Sequence, residues 1–255
     1  MSVHGPAVQV VRRAKPLLGT LVEVGLCGAP DEANLLAACD IAFDAIAAVQ
    51  RCLSRFECDS DIGRFNSLAA GGGIDVQADT AIVLSAARQL YNDSDGVFDV
   101  SLGSAPLGWL LHEHERRLHK LHDGARLDLG GIGKGHAVDR AVQALQRAGL
   151  TSGWVNAGGD LRSFGSATVE LKLRDEHRGG VVDFGRLNDG AFATSCFGAG
   201  ARSALSAKRP AGTRAHVSVA APLCLIADAL TKVVAASGDA DHPMVARAGA
   251  RAWLH

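Results

Sequence analysis

The fold is decided by the segment RLDLGGIGKGHAVDRAVQALQRA, residues 126–148. Residues 126–129 alternate polar and apolar side chains, which predicts a short strand. Residues 130–135 contain four glycines, and the apolar positions of residues 137–148 recur at helical spacing. The segment therefore predicts a strand, a glycine loop and a helix.

The glycine loop before this helix is a candidate anion site. A helix N-terminus presents unpaired N–H groups, and glycines let a phosphate approach the backbone. A tight turn that packs the helix on the strand explains the glycines equally well, but Lys134 favours a ligand loop. No Ser or Thr follows Lys134, and His136 stands where a dinucleotide-binding fold has its third glycine. The loop therefore predicts neither an ordinary NTPase nor a Rossmann enzyme.

Strands and helices mix along the rest of the chain without strict alternation, which favours the α+β class over a doubly wound parallel sheet. We expect one domain over residues 1–255, built either as one unit or as two tightly joined lobes. The predicted strands are residues 8–11, 20–26, 153–156 and 251–254, with short β segments over 161–194. The other predicted helices are residues 31–56, 60–68, 80–92 and 227–237.

Composition excludes several classes of protein. The net charge of −1 provides no overall field for nucleic acid. No apolar run reaches the roughly 18 residues of a membrane-spanning helix. The six cysteines form no CxxC pair, which indicates reduced thiols, and the N-terminus shows no signal peptide, so we expect a cytoplasmic protein.

Histidines and carboxylates are the candidate metal ligands. Four histidines fall within residues 104–124, but their charged neighbours and irregular spacing favour a solvated surface segment. Asp128, Asp139, Asp160 and Asp228 lie beside glycine turns or apolar runs, and magnesium prefers such oxygen ligands. For Asp228 alone, a helix-start carboxylate or an i,i+4 pair with Lys232 is a slightly better interpretation than a metal ligand.

Several short segments, taken in order, resemble the FAD:protein FMN transferase family, the ApbE-like flavin transferases. The resemblance runs from about residue 15 to the C-terminus and is carried by LGT at 18–20, LSRF at 53–56, SDIGRFN at 60–66, GVFD at 96–99, DLGGIGKG at 128–135, AVD at 137–139, NAGGD at 156–160, ATS at 193–195 and ADALT at 227–231.

This resemblance implies largely antiparallel sheets flanked by helices, in a T-fold-related flavin-binding architecture. It also implies FAD and Mg²⁺ as ligands, and transfer of FMN from FAD to a Ser or Thr of an acceptor flavoprotein with release of AMP. A non-catalytic FAD carrier and an FAD pyrophosphatase are the alternatives.

The positions that match the motifs of this family imply which residues form the site. The FAD contacts would be Leu18 (usually methionine in the family), Phe56, Val97, Phe98, Asp99, Asp128 and Lys134. The metal ligands would be the Gly131 carbonyl, Asp228 and Thr231. Asp228 and Lys134 would be the catalytic residues.

The chain departs from the family pattern at two places. Residues 201–210 lack the His and Asp of the usual His-Ile-Ile-Asp-Pro-like segment, and loss of a general base lowers a rate by about 10²- to 10⁴-fold. His216 precedes a β-rich run and is interpreted as a strand residue, not a substitute base. Lys232 stands four residues after Asp228, where the family has threonine. Thr231, three residues after Asp228, would still reach the metal, because one helical turn brings both positions towards the face of Asp228. Alternatively, we hypothesise that the Lys232 ammonium occupies part of the metal's volume and neutralises Asp228.

Overall fold

A computed structural model of the chain describes residues 9–28, 32–174, 179–197 and 216–255, which form ten strands and six helices. The strands are β1 Gln9–Leu17, β2 Thr20–Gly28, β3 Gly73–Asp75, β4 Trp109–His112, β5 Arg117–Lys120, β6 Gly153–Ala157, β7 Asp160–Arg174, β8 Val181–Cys196, β9 His216–Ala221 and β10 Arg251–Leu254. The helices are α1 Glu32–Leu53, α2 Asp61–Ser67, α3 Ala78–Asp93, α4 Gly133–Arg147, α5 Cys224–Ser237 and α6 Pro243–Arg247.

The strands form two antiparallel sheets. The larger sheet has the order β1-β2-β6-β7-β8-β9-β10, and each neighbouring pair is antiparallel. The smaller sheet has the order β3-β5-β4 and is also antiparallel. This mixture of helices with antiparallel sheets confirms the predicted α+β class.

One apolar core is shared by both sheets and the long helices. Its fully buried members include Val24 of β2, Ile46 of α1, Leu118 of β5, Val142 of α4 and Leu230 of α5. Helix α4 packs between α1 and α5. Within the described ranges, no helix is both long and apolar enough to cross a membrane. The single-domain organisation stays a prediction.

The strand predicted at residues 126–129 is wrong. A side chain distant in sequence takes the backbone hydrogen bonds that a neighbouring strand would otherwise supply. The Leu127 N–H donates to Asn66 Oδ1 at 2.7 Å, and Asn66 Nδ2 donates to the Leu127 carbonyl at 2.9 Å. The Asp128 N–H donates to the Val100 carbonyl at 2.8 Å. The segment thus enters α4 without belonging to either sheet.

Helix α4 begins at Gly133, four residues earlier than predicted, so part of the glycine loop is its first turn. Close packing explains the glycine at 135. A Cβ on Gly135 would lie 2.6 Å from the Cys224 carbonyl carbon and 2.8 Å from the Leu225 nitrogen. Without a side chain at this position, α4 can contact the start of α5.

In the histidine-rich stretch, His112, His114 and His122 are exposed as predicted, but strands β4 and β5 of the smaller sheet also lie within it. Trp109 is 4% exposed and Lys120 is fully buried. The Lys120 Nζ donates to the Asn66 carbonyl at 3.3 Å and lies 5.5 Å from the ring centre of Phe65. Long-range contacts of this kind bury a segment whose local composition is polar.

Two further differences concern the C-terminal half. The predicted short segments over residues 161–194 are most of two long paired strands, β7 and β8. The short helix α6 was not predicted.

The helices predicted at 31–56, 80–92 and 227–237 are confirmed as α1, α3 and α5, within a few residues at each end; residue 31 lies outside the described residues.

Candidate functional site

A cleft of about 720 Å³ lies beside the N-terminus of α4. Its walls come from the turn between β1 and β2, the residues after α1, the loop after α3 and the end of β8. The cleft brings together eight of the predicted site residues: Leu18, Phe56, Val97, Phe98, Asp99, Asp128, Gly131 and Lys134. Asp228 and Thr231 do not line it and are fully buried. Lys232, beside them on α5, does line it.

Two phenylalanines, Phe56 and Phe98, line the cleft. Phe56 is 83% exposed, whereas Phe98 is 4% exposed and forms part of the wall. The Arg55 guanidinium lies 4.3 Å from the Phe56 ring centre, and its Nε lies 3.0 Å from Asp128 Oδ2. Of the two predicted aromatic contacts, only Phe56 is therefore accessible to a ligand ring. The contribution of Arg55 was not predicted, although it lies within the family-like segment 53–56.

Two predicted contact residues have structural tasks in the cleft wall. Leu18 has a positive φ of 55°, and its N–H donates to Gln50 Oε1 at 2.7 Å. Asp99 is 8% exposed and accepts hydrogen bonds of 2.8 Å from the Ser101 N–H, the Ser101 hydroxyl and the Gly103 N–H. Its carboxylate therefore fixes the loop after α3.

The amides of the glycine segment are largely engaged within the protein. Gly130 donates to Asp128 Oδ1, Ile132 and Gly133 donate to the Leu129 carbonyl, and Gly135 donates to Asp228 Oδ2. The prediction of an amide cradle for phosphate therefore finds little support. Positive charge next to the glycine segment comes instead from the ammonium groups of Lys134 and Lys232, which both line the cleft.

These ammonium groups belong to a cluster of four charged residues. The Lys134 ammonium contacts Asp160 Oδ2 and lies 3.6 Å from Asp228 Oδ2. The Lys232 ammonium contacts Asp228 Oδ1. Asp160 and Asp228 are 2% and 0% exposed, so the carboxylates lie behind the ammonium groups. The pairing of Asp160 with Lys134 was not predicted, because the two residues are distant in sequence.

The charges of the cluster shift the pKa values of Asp160, Asp228 and Lys134. Burial and the Asp228 charge raise the pKa of Asp160 to about 6, against the opposing effect of Lys134. Burial would raise the pKa of Asp228 too, but the Lys134 and Lys232 charges outweigh it and lower that pKa. Burial would lower the pKa of Lys134, but the Asp160 and Asp228 charges raise it above its ordinary value. The Lys134 side chain thus faces the cleft as a cation.

The arrangement does not fit the predicted magnesium site. Magnesium needs near-octahedral oxygen ligands at about 2.0–2.1 Å, but the Lys232 ammonium already contacts Asp228 Oδ1. The Thr231 hydroxyl donates to the Asp228 carbonyl at 2.7 Å and lies 2.9 Å from the Ser195 hydroxyl. A Cβ on Gly131 would lie 3.3 Å from Lys232 Cε, so the lysine chain also covers that glycine. Within the described residues, no group of three or more His, Cys, Asp or Glu could hold a metal.

A buried carboxylate of α4 positions α5. Asp139 Oδ1 accepts from Arg162 Nη1 at 2.6 Å and from the Cys224 N–H at 3.0 Å. Asp139 Oδ2 accepts from the Leu225 N–H at 2.9 Å. It therefore caps the first turn of the helix that carries Asp228 and Lys232.

Two sequence features bear on a general base: the departure from the family pattern at residues 201–210, and the histidine at position 216. Residues 201–210 lie outside the described residues. His216 begins β9 and pairs with Cys196 of β8, which confirms that it is a strand residue.

Known proteins resemble this chain over most of its length. The ApbE family model matches residues 18–116 and 107–253. A curated relative, the FAD:protein FMN transferase of Rhodobacter capsulatus, is 27% identical over 212 residues. That alignment covers 68% of this chain but only 39% of the relative's length.

Solved structures of 20–22% identity share the fold. The flavin transferase ApbE from Vibrio cholerae has a TM-score of 0.79, with 97% of this chain and 94% of that chain covered. The apo form of Pseudomonas stutzeri flavinyl transferase ApbE has a TM-score of 0.78, with 97% and 90% covered. The ApbE protein from Thermotoga maritima has a TM-score of 0.82, with 96% and 94% covered. From the family match across nearly its whole length, this chain belongs to the ApbE family.

Proposed function

We propose that the chain is an FAD:protein FMN transferase. It would split the FAD pyrophosphate, release AMP and join FMN by a phosphoester to a Ser or Thr hydroxyl of an acceptor flavoprotein. The observation that supports this best is the lining of the cleft, which includes the exposed Phe56 ring and the Lys134 and Lys232 ammonium groups. FAD needs both kinds of side chain, because its flavin ring packs on an aromatic surface and its diphosphate is stabilised by positive charge.

The residues of the cleft would act mainly by binding and orientation. Phosphoryl transfer depends on positioning and on stabilising the charge of the phosphate oxygens. An ammonium group has three N–H donors, and Lys134 has one close hydrogen-bond partner, Asp160. Lys134 can therefore donate to a phosphate oxygen while Asp160 holds it. Leu18 and Val97 would contact the cofactor from the cleft wall, and Asp99 and Asp128 would fix the surrounding loops.

We do not assign magnesium to this function, because the residues that would bind it are engaged with Lys232 and with one another. Cytoplasmic location stays a prediction, and it is consistent with six free cysteine thiols.

A non-catalytic FAD carrier is the second candidate. Residues 201–210 contain no His or Asp that could deprotonate an acceptor hydroxyl, and a lysine occupies the predicted metal position. Such a protein would keep the cleft and lose the transfer step.

Product analysis separates these functions. The purified protein is incubated with FAD, with and without a flavoprotein that carries a Ser or Thr flavinylation site, in parallel samples containing magnesium or EDTA. Covalent flavin on the acceptor with stoichiometric AMP supports the transferase. Free FMN and AMP without an acceptor would indicate a pyrophosphatase, and bound intact FAD a carrier. Absence of flavin binding would refute all three. The Lys134→Met variant tests chemistry at the cleft, under conditions in which circular dichroism shows that it is folded.

A further inference from the structure

The Lys232 ammonium is held by a complete set of protein acceptors. It contacts Asp228 Oδ1, donates to the Asp228 carbonyl at 3.0 Å and donates to the Ser195 hydroxyl at 3.2 Å. These three acceptors match the three N–H donors of an ammonium group. These contacts hold Lys232 in place. Because its N–H donors are already used, Lys232 acts on a ligand mainly through its charge.

The charge of this lysine is directed to the cleft. The cluster contains two ammonium groups and two carboxylates, so its formal charges cancel when all four are ionised. The ammonium groups line the cleft, whereas Asp160 and Asp228 are buried behind them and do not line it. A ligand in the cleft therefore meets the positive side of the cluster, where an anionic group is favoured.

A divalent cation has no room at Asp228 while Lys232 is present. One carboxylate oxygen contacts the Lys232 ammonium, and the other accepts from the Gly135 N–H at 3.2 Å and lies 3.6 Å from the Lys134 ammonium. A metal ion at this carboxylate would displace one ammonium group and be repelled by the other.

We propose that Lys232 is a built-in cation of the cleft, so that the protein binds the diphosphate of FAD without a divalent metal ion. Lys232 supplies the fixed charge, and Lys134 supplies the hydrogen bonds. This inference rests on FAD being the ligand, as in the proposed function, but its exclusion of metal can be tested without flavin.

The first experiment titrates the FAD-free protein with Mn²⁺ and follows binding by calorimetry. We expect no binding at Asp228 in the unmodified protein and a new site in Lys232→Thr, which restores an open carboxylate. Lys172→Thr is the matched control, because Lys172 is half-exposed on β7 and its ion-pair partner among the described residues is the exposed Asp183. It removes the same charge and should bind no Mn²⁺. Mn²⁺ binding to the unmodified protein that Asp228→Asn abolishes would overturn the inference.

The second experiment titrates FAD by flavin fluorescence in excess EDTA and in excess MgCl₂. For the unmodified protein, we expect dissociation constants that agree within about twofold. For Lys232→Thr, we expect FAD binding in EDTA to weaken about tenfold or more and magnesium to restore part of it. A tenfold loss of FAD affinity when EDTA is added to the unmodified protein would overturn the inference, and this comparison needs no variant to fold.

The two experiments also distinguish the inference from the proposed function. Failure of FAD to bind in either buffer would refute the proposed function and the FAD part of the inference. The Mn²⁺ titration would still decide whether Lys232 excludes a metal.

Discussion

Replacing Lys134 with methionine should destabilise the protein strongly and in a pH-dependent manner. Methionine keeps much of the side-chain volume but removes the charge that faces Asp160 and Asp228. Asp160 Oδ1 has no hydrogen-bond partner among the described residues, so Lys134 is the cation that directly contacts this buried group. Loss of one partner of a buried ion pair costs about 3–5 kcal/mol in the free energy of unfolding.

The direction of the pH effect follows from the pKa of Asp160. This pKa lies near 6 in the folded protein, above its ordinary value, so the stability that the group contributes is greatest at low pH and falls as pH rises through about 6. In the Lys134→Met variant, the pKa of Asp160 should rise further, because the lysine charge that lowers it is absent. Each added unit corresponds to about 1.4 kcal/mol, so the variant's loss at about pH 8 should exceed its loss at about pH 5 by up to about 3 kcal/mol.

Thermal and urea unfolding at the two pH values measure this difference. For a chain of this size, 1 kcal/mol changes Tm by about 2–4 °C, so the Tm of Lys134→Met should be lower by roughly 6–20 °C at the higher pH. Lys172→Met is the control, since its partner Asp183 lies 3.7 Å away and both side chains are at least half exposed. It should change stability by no more than about 0.5 kcal/mol. A loss below about 1 kcal/mol for Lys134→Met at the higher pH, or equal losses at both pH values, would refute the reasoning.

Gly135→Ala should destabilise the protein by about 1–3 kcal/mol, measured by urea unfolding, because its Cβ would meet the backbone of Cys224. Unchanged stability would show that α4 and α5 can separate without penalty. Phe56→Ala should leave Tm unchanged, because the ring is 83% exposed, but should weaken FAD binding about two- to tenfold in a fluorescence titration. Equal FAD affinity would exclude stacking on this ring. Asp139→Ala should lower the free energy of unfolding by about 3 kcal/mol, because it uncaps α5 and leaves Arg162 without its carboxylate. Asp139→Asn is the matched variant, and a loss equal to that of alanine would argue against a capping role.

The sequence predicted the elements whose signal is local. Helices α1 and α5 follow from apolar positions that recur on one face, such as Ala42, Ile46 and Val49, which are buried as predicted. The i,i+4 pair of Asp228 with Lys232 was likewise predicted from helical spacing and is present.

Elements that depend on distant residues were missed. The extended segment at 126–129 pairs with the side chain of Asn66, about sixty residues earlier, and strand propensity contains no information about such a partner. Lys120 is buried within a polar segment because its ammonium group donates to the Asn66 carbonyl and lies near the Phe65 ring. Tertiary contacts overrode the local pattern at both places.

In the candidate site too, features with a local sequence signal were predicted and features that depend on distant residues were missed. The resemblance named eight residues that line the cleft, yet the cluster of four charges required the pairing of Lys134 on α4 with Asp160 at the start of β7. That pairing depends on how the helix lies against the sheet, which the sequence segments do not specify.

The contact between α4 and α5 also determines how readily the cleft can respond to a ligand. Gly135 and Asp139 are one helical turn apart on α4, and both contact the first turn of α5. Sliding of one helix along the other would break the cap and create a backbone clash, so the separation between the Lys134 and Lys232 ammonium groups is set before a ligand arrives. Charges held in advance require little reorganisation when an anion binds, and they favour anions of matching length over shorter ones. Discrimination between a diphosphate and a monophosphate would then reside in the packing of two helices, at residues that never contact the ligand.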